Sequence, residues 1–436
     1  MGRLAPLLLA LFLNHAHHCA FAYTPLSDNS LRHLVASSSP SSSDLGTTDP
    51  DLDPAHGALL GPILQPRVPG TPGHAAVQEH FAAFARHHLE PAGWTVEWHN
   101  TTAVTPALID EGGRERVVPF RNLILRRDPP WVTSASSFSS SSSSEKEEGG
   151  ETGKKRRRGQ GDVARLTLAA HYDSLYRPEG FIGAVDSAVP CALLLFVARA
   201  IDGALTRRWE AEEKAAGKED EEMLLLEDEE EPAKGVQILL LDGEEAWVEW
   251  SERDSLYGSR ALAEAWEDTQ YEAGSSFSTP LEAISLFVLL DLLGAPEPNI
   301  PSYFPKTHWA YEKLAKLEER LRKLDLLETK PRKPFLAERG QEARRFRGFV
   351  QDDHVPFMRR GVNILHIIPT PFPPVWHTME DDGAHLDAPT IRDWAKIMTA
   401  FVAEWMDLEG YLPDVVARSE RNVEDTGKGH AEKEEL

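Results

Sequence analysis

Acidic and histidine residues in several short clusters have the types and spacing of a metal-dependent catalytic site. Asp186, Glu245 and His377 offer the mixture of carboxylate and imidazole ligands that catalytic zinc sites use, with one coordination position left for substrate or water. Each residue could also have a purely structural role. Asp186 could cap a helix, Glu245 could be solvated and His377 could be hydrogen-bonded within a loop. The residues alone leave a metal site and a structural role both open.

The doublet Glu244-Glu245 suits proton transfer beside a metal ion. Neighbouring side chains at a strand end point in different directions, so one carboxylate can bind a cation while the other faces the open coordination position as a base. Asp291 and Asp352 add further acids near the same predicted edge. Crowding raises the pKa of one carboxyl group among several, which suits a group that carries protons near neutral pH.

Four short, almost wholly apolar runs predict strands that are buried on both faces, as in a parallel sheet. Helical periodicity appears in five other segments, and strands that alternate with helices imply crossover connections. The sequence therefore predicts an α/β fold, a three-layer sandwich around a mostly parallel, twisted, mixed central sheet. The predicted strands are residues 165–170, 236–242, 284–290 and 362–368, and the predicted helices are residues 75–88, 188–204, 255–266, 311–327 and 390–408.

A polar cluster follows each of the four predicted strands. His171 follows the first, Glu244 comes two residues after the second, Asp291 follows the third and the loop 369–377 follows the fourth. Ligands of open α/β sheets bind beyond the carboxyl ends of the strands. We therefore expect the acids and histidines to gather at one edge of the sheet.

The N-terminus has the pattern of a secretory signal peptide. Residues 4–13 form an apolar run too short to span a bilayer, and Ala20-Phe21-Ala22 fits the signal peptidase rule, so the mature chain would begin near Tyr23. No later stretch is apolar for long enough to cross a membrane, and Asn100-Thr101-Thr102 is an acceptor for N-glycosylation. The last residues, 433–436, differ by one acid from an endoplasmic reticulum retrieval signal. We expect a secretory-pathway glycoprotein, either secreted or retained in the lumen.

The net charge argues against some binding partners, and the cysteine content argues against an internal disulfide bond. A net charge of -24 argues against nucleic acid and anionic membranes, since phosphate contacts need clustered Lys and Arg. Cys19 lies in the predicted signal, so Cys191 would be the single cysteine of the mature chain. The predicted organisation is a signal peptide (1–22), a flexible segment (23–60), one catalytic domain (61–415) with disordered insertions near 134–161 and 207–234, and a charged tail (416–436).

Five blocks, in order along the chain, resemble the glutaminyl-peptide cyclotransferases, or glutaminyl cyclases. The central block, residues 242–250, reads Asp-Gly-Glu-Glu-Ala-Trp-Val-Glu-Trp and continues at 254–260 as Asp-Ser-Leu-Tyr-Gly-Ser-Arg. The resemblance covers roughly residues 165 to 410, and the long insertions are similar to those of fungal members. The other blocks are Gly-Ala-Val-Asp-Ser-Ala-Val-Pro-Cys at 183–191, Leu-Asp-Leu-Leu-Gly-Ala-Pro at 290–296, Asp-Asp-His-Val-Pro-Phe-Met-Arg-Arg-Gly at 352–361 and Pro-Phe-Pro-Pro-Val-Trp-His-Thr at 371–378.

The resemblance implies a zinc aminopeptidase-like fold and an acyltransferase that closes the N-terminal glutamine of peptides and proteins into pyroglutamate. It also implies one zinc ion per chain. We expect a monomer. The implied metal ligands are Asp186, Glu245 and His377, with Glu244 as proton shuttle, Asp291 and Asp352 as a carboxylate network hydrogen-bonded to it, and Trp250, Phe372 and Trp376 as walls of the glutamine pocket, although such aromatic residues more commonly pack in a core.

Two other functions use the same residue types. A dinuclear zinc aminopeptidase of the related fold would bind two ions with a set such as His171, Asp186, Glu245, Asp291 and His377, and would activate water. A non-catalytic binding domain on the same scaffold predicts missing ligands, and none is missing. Animal members of the resembled family carry a cysteine where Ala170 stands, so Cys191 is expected to be a free thiol.

Overall fold

Six strands form one mixed sheet at the centre of the molecule. The structure is a computed structural model that describes residues 23–37, 51–109, 115–132, 158–216, 231–337 and 350–412. The predicted signal peptide and charged tail lie outside the described residues. The strands are β1 (Thr95–Ile109), β2 (Glu115–Arg127), β3 (Val163–His171), β4 (Ala233–Leu241), β5 (Ile284–Leu290) and β6 (Ile364–Ile367), in the spatial order β1-β2-β4-β3-β5-β6.

Four neighbouring strands, β4, β3, β5 and β6, run parallel, and this part of the prediction is confirmed. β3 pairs with both β4 and β5, and β5 pairs with β6, all in parallel. Every residue of β3 is buried, as expected for a strand that is covered on both faces. Because the strands are parallel, their carboxyl ends meet at one edge of the sheet, where the polar clusters follow them.

Helices cover both faces of the sheet and produce the predicted three layers. α1, α3, α5 and α7 share one large apolar core with alternate residues of the strands, for example Leu166 and Leu168. α4 and α6 pack on the opposite face against Ala169 and Leu239. The helices are α1 (Asp28–Ser37), α2 (Pro72–Phe84), α3 (Val189–Ala216), α4 (Tyr257–Asp268), α5 (His308–Lys323), α6 (His354–Met358) and α7 (Ala388–Trp405).

The apolar length of α3 comes from its place in the core. With the preceding turn it forms a helix of 32 residues, Ala184–Ala215, that is long and apolar enough to cross a membrane, but 89% of its most apolar window is buried inside the protein. The described residues contain no other helix of this kind.

The antiparallel hairpin of β1 and β2 has no counterpart in the prediction. β1 is the edge strand, and β2 joins the hairpin to β4 in antiparallel register. Polar residues alternate with apolar ones at the start of β1, in its first five residues, Thr-Val-Glu-Trp-His. A search for continuous apolar runs misses such strands, whereas period-two alternation would have indicated them.

The flexible segment predicted for residues 23–60 is wrong for its described part. Leu26, Leu31 and Leu34 are buried in the main core. The backbone N–H of Leu26 donates a hydrogen bond of 2.9 Å to the carboxylate of Glu404 in α7, and Tyr23 also bonds to Glu404. The segment packs because its leucines complete the apolar layer beside α7.

The insertion predicted near 207–234 is shorter at both ends, since α3 continues to Ala216 and β4 begins at Ala233. Arg208 and Glu212, one turn apart, form an ion pair of 2.8 Å that supports the extra helical turns. The remainder of this insertion, residues 217–230, lies outside the described residues, as does most of the insertion near 134–161.

Candidate active site

Asp186, Glu245 and His377 converge at the carboxyl edge of the sheet, as the sequence predicts. One ligand atom from each lies within 4.8 Å of the other two. The His377 Nε2 atom is 3.4 Å from an oxygen of Asp186 and 3.9 Å from an oxygen of Glu245. The other carboxylate oxygen of Glu245 is buried and has no hydrogen-bond partner in the described part of the chain, which is costly unless a cation or proton satisfies it. This donor set fits a zinc ion.

Tight backbone turns position the three groups. Asp186 lies in the turn that links β3 to α3, which begins at Gly183 with φ of +67°. A Cβ atom at this glycine would lie 2.1 Å from the carbonyl oxygen of Asp186, so the turn excludes a side chain there. His377 also has a positive φ, +56°, a conformation that is rare outside glycine and that clusters at functional sites.

His171 holds the acidic edge together. Its Nε2 atom is 3.0 Å from Asp186 and 3.6 Å from Asp291, and its Nδ1 atom is 3.4 Å from Asp173. Burial lowers the pKa of His171, but the neighbouring carboxylates of Asp173, Asp186 and Asp291 outweigh burial and raise the pKa well above the usual value. His171 is therefore placed to compensate the negative charge of the acids around it.

Asp173 places the Glu244-Glu245 doublet. One carboxylate oxygen accepts the backbone N–H of Glu244 at 3.0 Å and the other accepts the backbone N–H of Glu245 at 3.1 Å. The carboxylate thus binds both peptide groups that carry the candidate base and the candidate ligand. The sequence contained a signal for Asp173, because it belongs to the polar cluster after β3, but no specific role could be assigned.

Glu244 has the electrostatic surroundings of a proton carrier. Burial raises its pKa well above the usual range, and the negative charges of Asp352 and Glu245 raise it further, against the opposing charge of His171. Burial and the charge of Asp352 also raise the pKa of Asp291. A carboxyl group with a raised pKa can both accept and return a proton near neutral pH.

The predicted hydrogen bonds from Glu244 to Asp291 and Asp352 are absent among the described residues. Asp291 instead accepts from the Ser187 hydroxyl and from the N–H of Leu292. Asp352 accepts from His366 at 2.7 Å and from the adjacent backbone N–H at 2.6 Å. Both oxygens of Asp352 accept hydrogen bonds in this way, and its negative charge acts on the pKa of Glu244.

The candidate site opens into a cavity of about 310 Å³. Trp250 and Trp376 are 37% and 36% exposed, so they form walls and are not core packing. Phe372 lies edge-on to Trp376, and the Trp376 ring stacks on His377 at 3.8 Å. The lining residues are Asp186, Glu244, Glu245, Trp250, Asp291, Leu292, Val350, Gln351, Ile368, Phe372, Trp376 and His377, which include every predicted site residue except Asp352.

Asp254 fixes the loop that carries Trp250. Its carboxylate accepts the backbone N–H groups of Trp247, Val248 and Glu249 at 2.8 to 3.0 Å, and it also accepts the hydroxyl of Tyr257 at 2.7 Å. The sequence placed Asp254 in a resembling block but gave it no role. The indole N–H of Trp250 donates a hydrogen bond to the side-chain oxygen of Gln351 at 3.0 Å.

Comparison with known proteins gives consistent matches. Residues 154–402 match the family described as peptidase family M28. A glutaminyl-peptide cyclotransferase-like protein of Bos taurus is 38% identical over 362 residues, which are 82% of this chain and 77% of that protein. A glutaminyl-peptide cyclotransferase of Gloydius blomhoffii is 37% identical over 361 residues, 80% of each chain.

A solved structure is also similar over nearly the whole chain. The crystal structure of Macrostomum lignano glutaminyl cyclase superposes with a TM-score of 0.62 at 27% sequence identity, covering 89% of this chain and 96% of that one.

The Asp254→Asn substitution should loosen the Trp250 loop. An amide offers one acceptor oxygen in place of two, so some of the backbone N–H groups lose their acceptor. We expect the free energy of unfolding to fall by about 1–3 kcal/mol, the usual cost of leaving a buried hydrogen-bonding group without a partner. Amide hydrogen exchange of Val248 and Glu249 should accelerate. Asp393→Asn is the matched control, because Asp393 accepts the N–H groups of Glu328 and Thr329 elsewhere, and it should destabilise the protein without faster exchange in this loop.

The comparison of wild type with Asp254→Asn also predicts a dependence of stability on pH. Burial alone raises the pKa of Asp254, but the hydrogen bonds from Glu249 and Trp247 outweigh burial and lower the pKa below its usual value. A carboxyl group with a lowered folded-state pKa contributes stability above its unfolded pKa of about 3.9 and loses it as the pH falls through the folded value. The stability difference between wild type and Asp254→Asn should be constant near pH 7 and shrink below about pH 4. A difference independent of pH down to full protonation would contradict this role.

Proposed function

The chain belongs to the glutaminyl-peptide cyclotransferases within peptidase family M28, and from this premise we propose that it closes N-terminal glutamine residues of peptides and proteins into pyroglutamate, with release of ammonia and with one bound zinc ion. The enzyme is thereby an acyltransferase. The observation that carries the proposal is the single cavity in which a zinc donor set, a carboxyl group of raised pKa and aromatic walls meet.

The size and lining of the cavity suit a small amide side chain. Its volume of about 310 Å³ is at the lower end of the range for small-molecule sites. Trp250, Phe372 and Trp376 supply apolar contacts along the rim, and the acids and His377 lie together at the base. A glutamine side chain fits this division, because its methylene groups can contact the aromatic walls while its carboxamide reaches the polar base.

Asp186, Glu245 and His377 would hold the zinc ion. A zinc ion bound there would polarise the γ-carboxamide carbonyl of the substrate. The pKa of Asp186 is lowered despite burial, which acts to raise it, because hydrogen bonds from His171 and His377 outweigh burial, so the carboxylate is ionised and ready to bind a cation. His377 is the most exposed of the three ligands and closes the site beside the cavity.

Glu244 would move the proton. It takes a proton from the neutral α-amine of the substrate as the nitrogen lone pair attacks the γ-carbonyl carbon and closes a five-membered ring. It returns the proton to the amide nitrogen as the carbon–nitrogen bond breaks, and ammonia leaves. No water is consumed. The charge of Asp352 contributes to the raised pKa that this role needs, and Asp291 lines the same cavity.

The aromatic walls would exclude water and orient the amine. Water in the site would compete with the α-amine as nucleophile and would give glutamate in place of pyroglutamate. Trp250 is held by the Asp254 loop and by Gln351, and Trp376 is held by stacking on His377. Rigid walls keep the α-amine close to the carbonyl carbon, which raises the effective concentration of the nucleophile.

A dinuclear aminopeptidase is the alternative that one observation favours. His171, Asp186 and Asp291 form a second group whose ligand atoms lie within 4.8 Å of one another. Against a second ion there, Asp291 already accepts from Ser187 and Leu292, and Asp186 accepts from His171. Two metal ions per chain together with release of a free N-terminal amino acid would support the peptidase.

We also propose that the enzyme acts in the secretory pathway as a monomeric glycoprotein. Asn100 is exposed on the edge strand β1, where an attached glycan would not meet the core, and Arg121 donates to its side chain at 2.9 Å. Cys191 is a buried free thiol, as expected, so none of the described cysteines forms a disulfide. Secretion and retention in the endoplasmic reticulum remain alternatives, since residues 433–436 lie outside the described residues.

Incubation with a peptide that begins with glutamine should yield a product lighter by one ammonia. The same peptide with an acetylated N-terminus is the matched control, because its amide nitrogen cannot act as the nucleophile. Both peptides are monitored by mass spectrometry and by an assay for released ammonia. Persistence of the free peptide with zinc-loaded protein would refute the proposed activity, and conversion to an N-terminal glutamate would point to hydrolysis.

The Glu244→Gln substitution should separate proton transfer from metal binding. The amide has the same shape but cannot accept the proton, so kcat should fall by about 10²- to 10⁴-fold, the usual contribution of general acid–base catalysis. Zinc content should stay unchanged because the Glu245 carboxylate is intact. Glu249→Gln, an exposed acid in the following loop, is the matched control and should retain wild-type kcat. Wild-type kcat in Glu244→Gln would remove Glu244 from its role.

A further inference from the structure

Arg67 is a fully buried cation whose guanidinium group, within the described residues, donates hydrogen bonds to backbone carbonyls only. It lies in the loop before α2 and is 0% exposed to solvent. No carboxylate among the described residues forms an ion pair with it, and its side-chain hydrogen bonds there all go to carbonyl oxygens. The acceptors are the carbonyls of Tyr172 (2.6 Å), Ile182 (2.6 Å), Gly183 (3.0 Å), Ile63 (3.1 Å), Gln65 (3.2 Å), Asp173 (3.4 Å) and Asp186 (3.4 Å).

The contacts of Arg67 join the two segments that bracket the metal site. The carbonyls of Tyr172 and Asp173 belong to the end of β3, directly after His171. The carbonyls of residues 182, 183 and 186 belong to the turn that carries Asp186. The backbone N–H of Arg67 also donates to the Ser174 hydroxyl at 2.8 Å. One side chain thus fixes the distance between the strand end and the turn.

The turn is held from its other side by Asp381. The carboxylate of Asp381 accepts the N–H of Val185 at 2.7 Å, and its backbone carbonyl accepts the N–H of Ala184 at 3.1 Å. Arg67 therefore binds the carbonyl groups of the turn while Asp381 binds its N–H groups. Residues 186 and 187 have non-helical backbone angles, and the backbone N–H of Ala188 donates across them to the carbonyl of Gly183 at 3.2 Å.

We propose that Arg67 is a positioning residue for the zinc ligand Asp186, an inference that rests on the metal site of the proposed function. A planar guanidinium group has five N–H donors in a fixed arrangement, whereas a lysine ammonium has three and cannot reach several carbonyls at once. Arg67 sets the backbone of the turn before the metal arrives, so binding does not have to order it. The charge of Arg67 also offsets part of the negative charge of the acidic edge without occupying a ligand oxygen.

The test is the equilibrium zinc affinity of the full chain, measured by competition with a chelator for zinc alone, in wild type, Arg67→Lys and Arg67→Met. Loss of groups that orient metal ligands typically weakens metal binding by about 10- to 100-fold, and we expect this range for Arg67→Met and the lower part of it for Arg67→Lys. Circular dichroism and thermal unfolding of the zinc-free proteins establish that each variant is folded. Arg67→Lys keeps the buried charge and most of the volume, so it decides the question if Arg67→Met does not fold.

Arg165→Met is the matched control. Arg165 is also buried and binds Asp128 at 2.6 Å, but it lies six residues before His171 on β3, about 20 Å from the site at the usual rise per residue. This variant should lose thermal stability and keep wild-type zinc affinity. Equal weakening of zinc binding in Arg165→Met would show that the effect reflects general destabilisation and would overturn the proposal.

The outcomes also separate this inference from the proposed function. If wild type binds zinc and the folded Arg67 variants bind it within about twofold of wild type, well short of the usual loss, Arg67 has no positioning role and the metal site stands. If wild type itself binds no zinc, the metal site of the proposed function fails and this inference fails with it.

Discussion

The rest of the structure depends on keeping several carboxylates buried together at one edge of the sheet. Asp173, Asp186, Glu244, Glu245 and Asp291 are all nearly inaccessible to solvent. Like charges at such distances cannot all ionise in a poorly solvated site unless cations or hydrogen-bond donors compensate them. The fold supplies these partners as His171, as backbone N–H groups and as the remote guanidinium of Arg67. The unsatisfied oxygen of Glu245 marks the place where compensation is incomplete and where a metal ion would complete it.

This constraint explains why the candidate site residues lie at the carboxyl edge of the parallel strands. Parallel strands place all their carboxyl ends at one edge, so residues far apart in sequence, from His171 to His377, meet there. The cost of burying their charges is offset by preorganised contacts, and the same burial raises the pKa of Glu244. The proposed proton carrier, the proposed metal ligands and the aromatic wall thus all lie in one arrangement of loops. An aminopeptidase scaffold can host a reaction without water in this way.

Much of the inner sheet could be predicted because its strands are continuous apolar runs, and the bounds of β5 agree residue for residue. The residues that converge at the edge were also predictable, since they lie in blocks that follow the strands. The hairpin of β1 and β2 was missed because polar residues interrupt the apolar ones along β1, and because the buried part of β2 includes Asn122 and Arg127 beside its short apolar run. The docking of the N-terminal segment depends on Glu404, 378 residues from Leu26, and local patterns contain no trace of such a contact. Arg67 was missed because binding to carbonyls leaves no partner residue type in the sequence.

X-ray absorption spectroscopy at the zinc edge tests the central claim most directly. With one equivalent of zinc bound, the account predicts a first shell of nitrogen and oxygen only, at about 2.0–2.2 Å, with scattering from a single imidazole, as Asp186, Glu245 and His377 require. It also predicts no metal–metal scattering at about 3.5–4 Å, the separation in two-metal sites. Sulfur in the first shell, several imidazoles or a second metal at that distance would contradict the account.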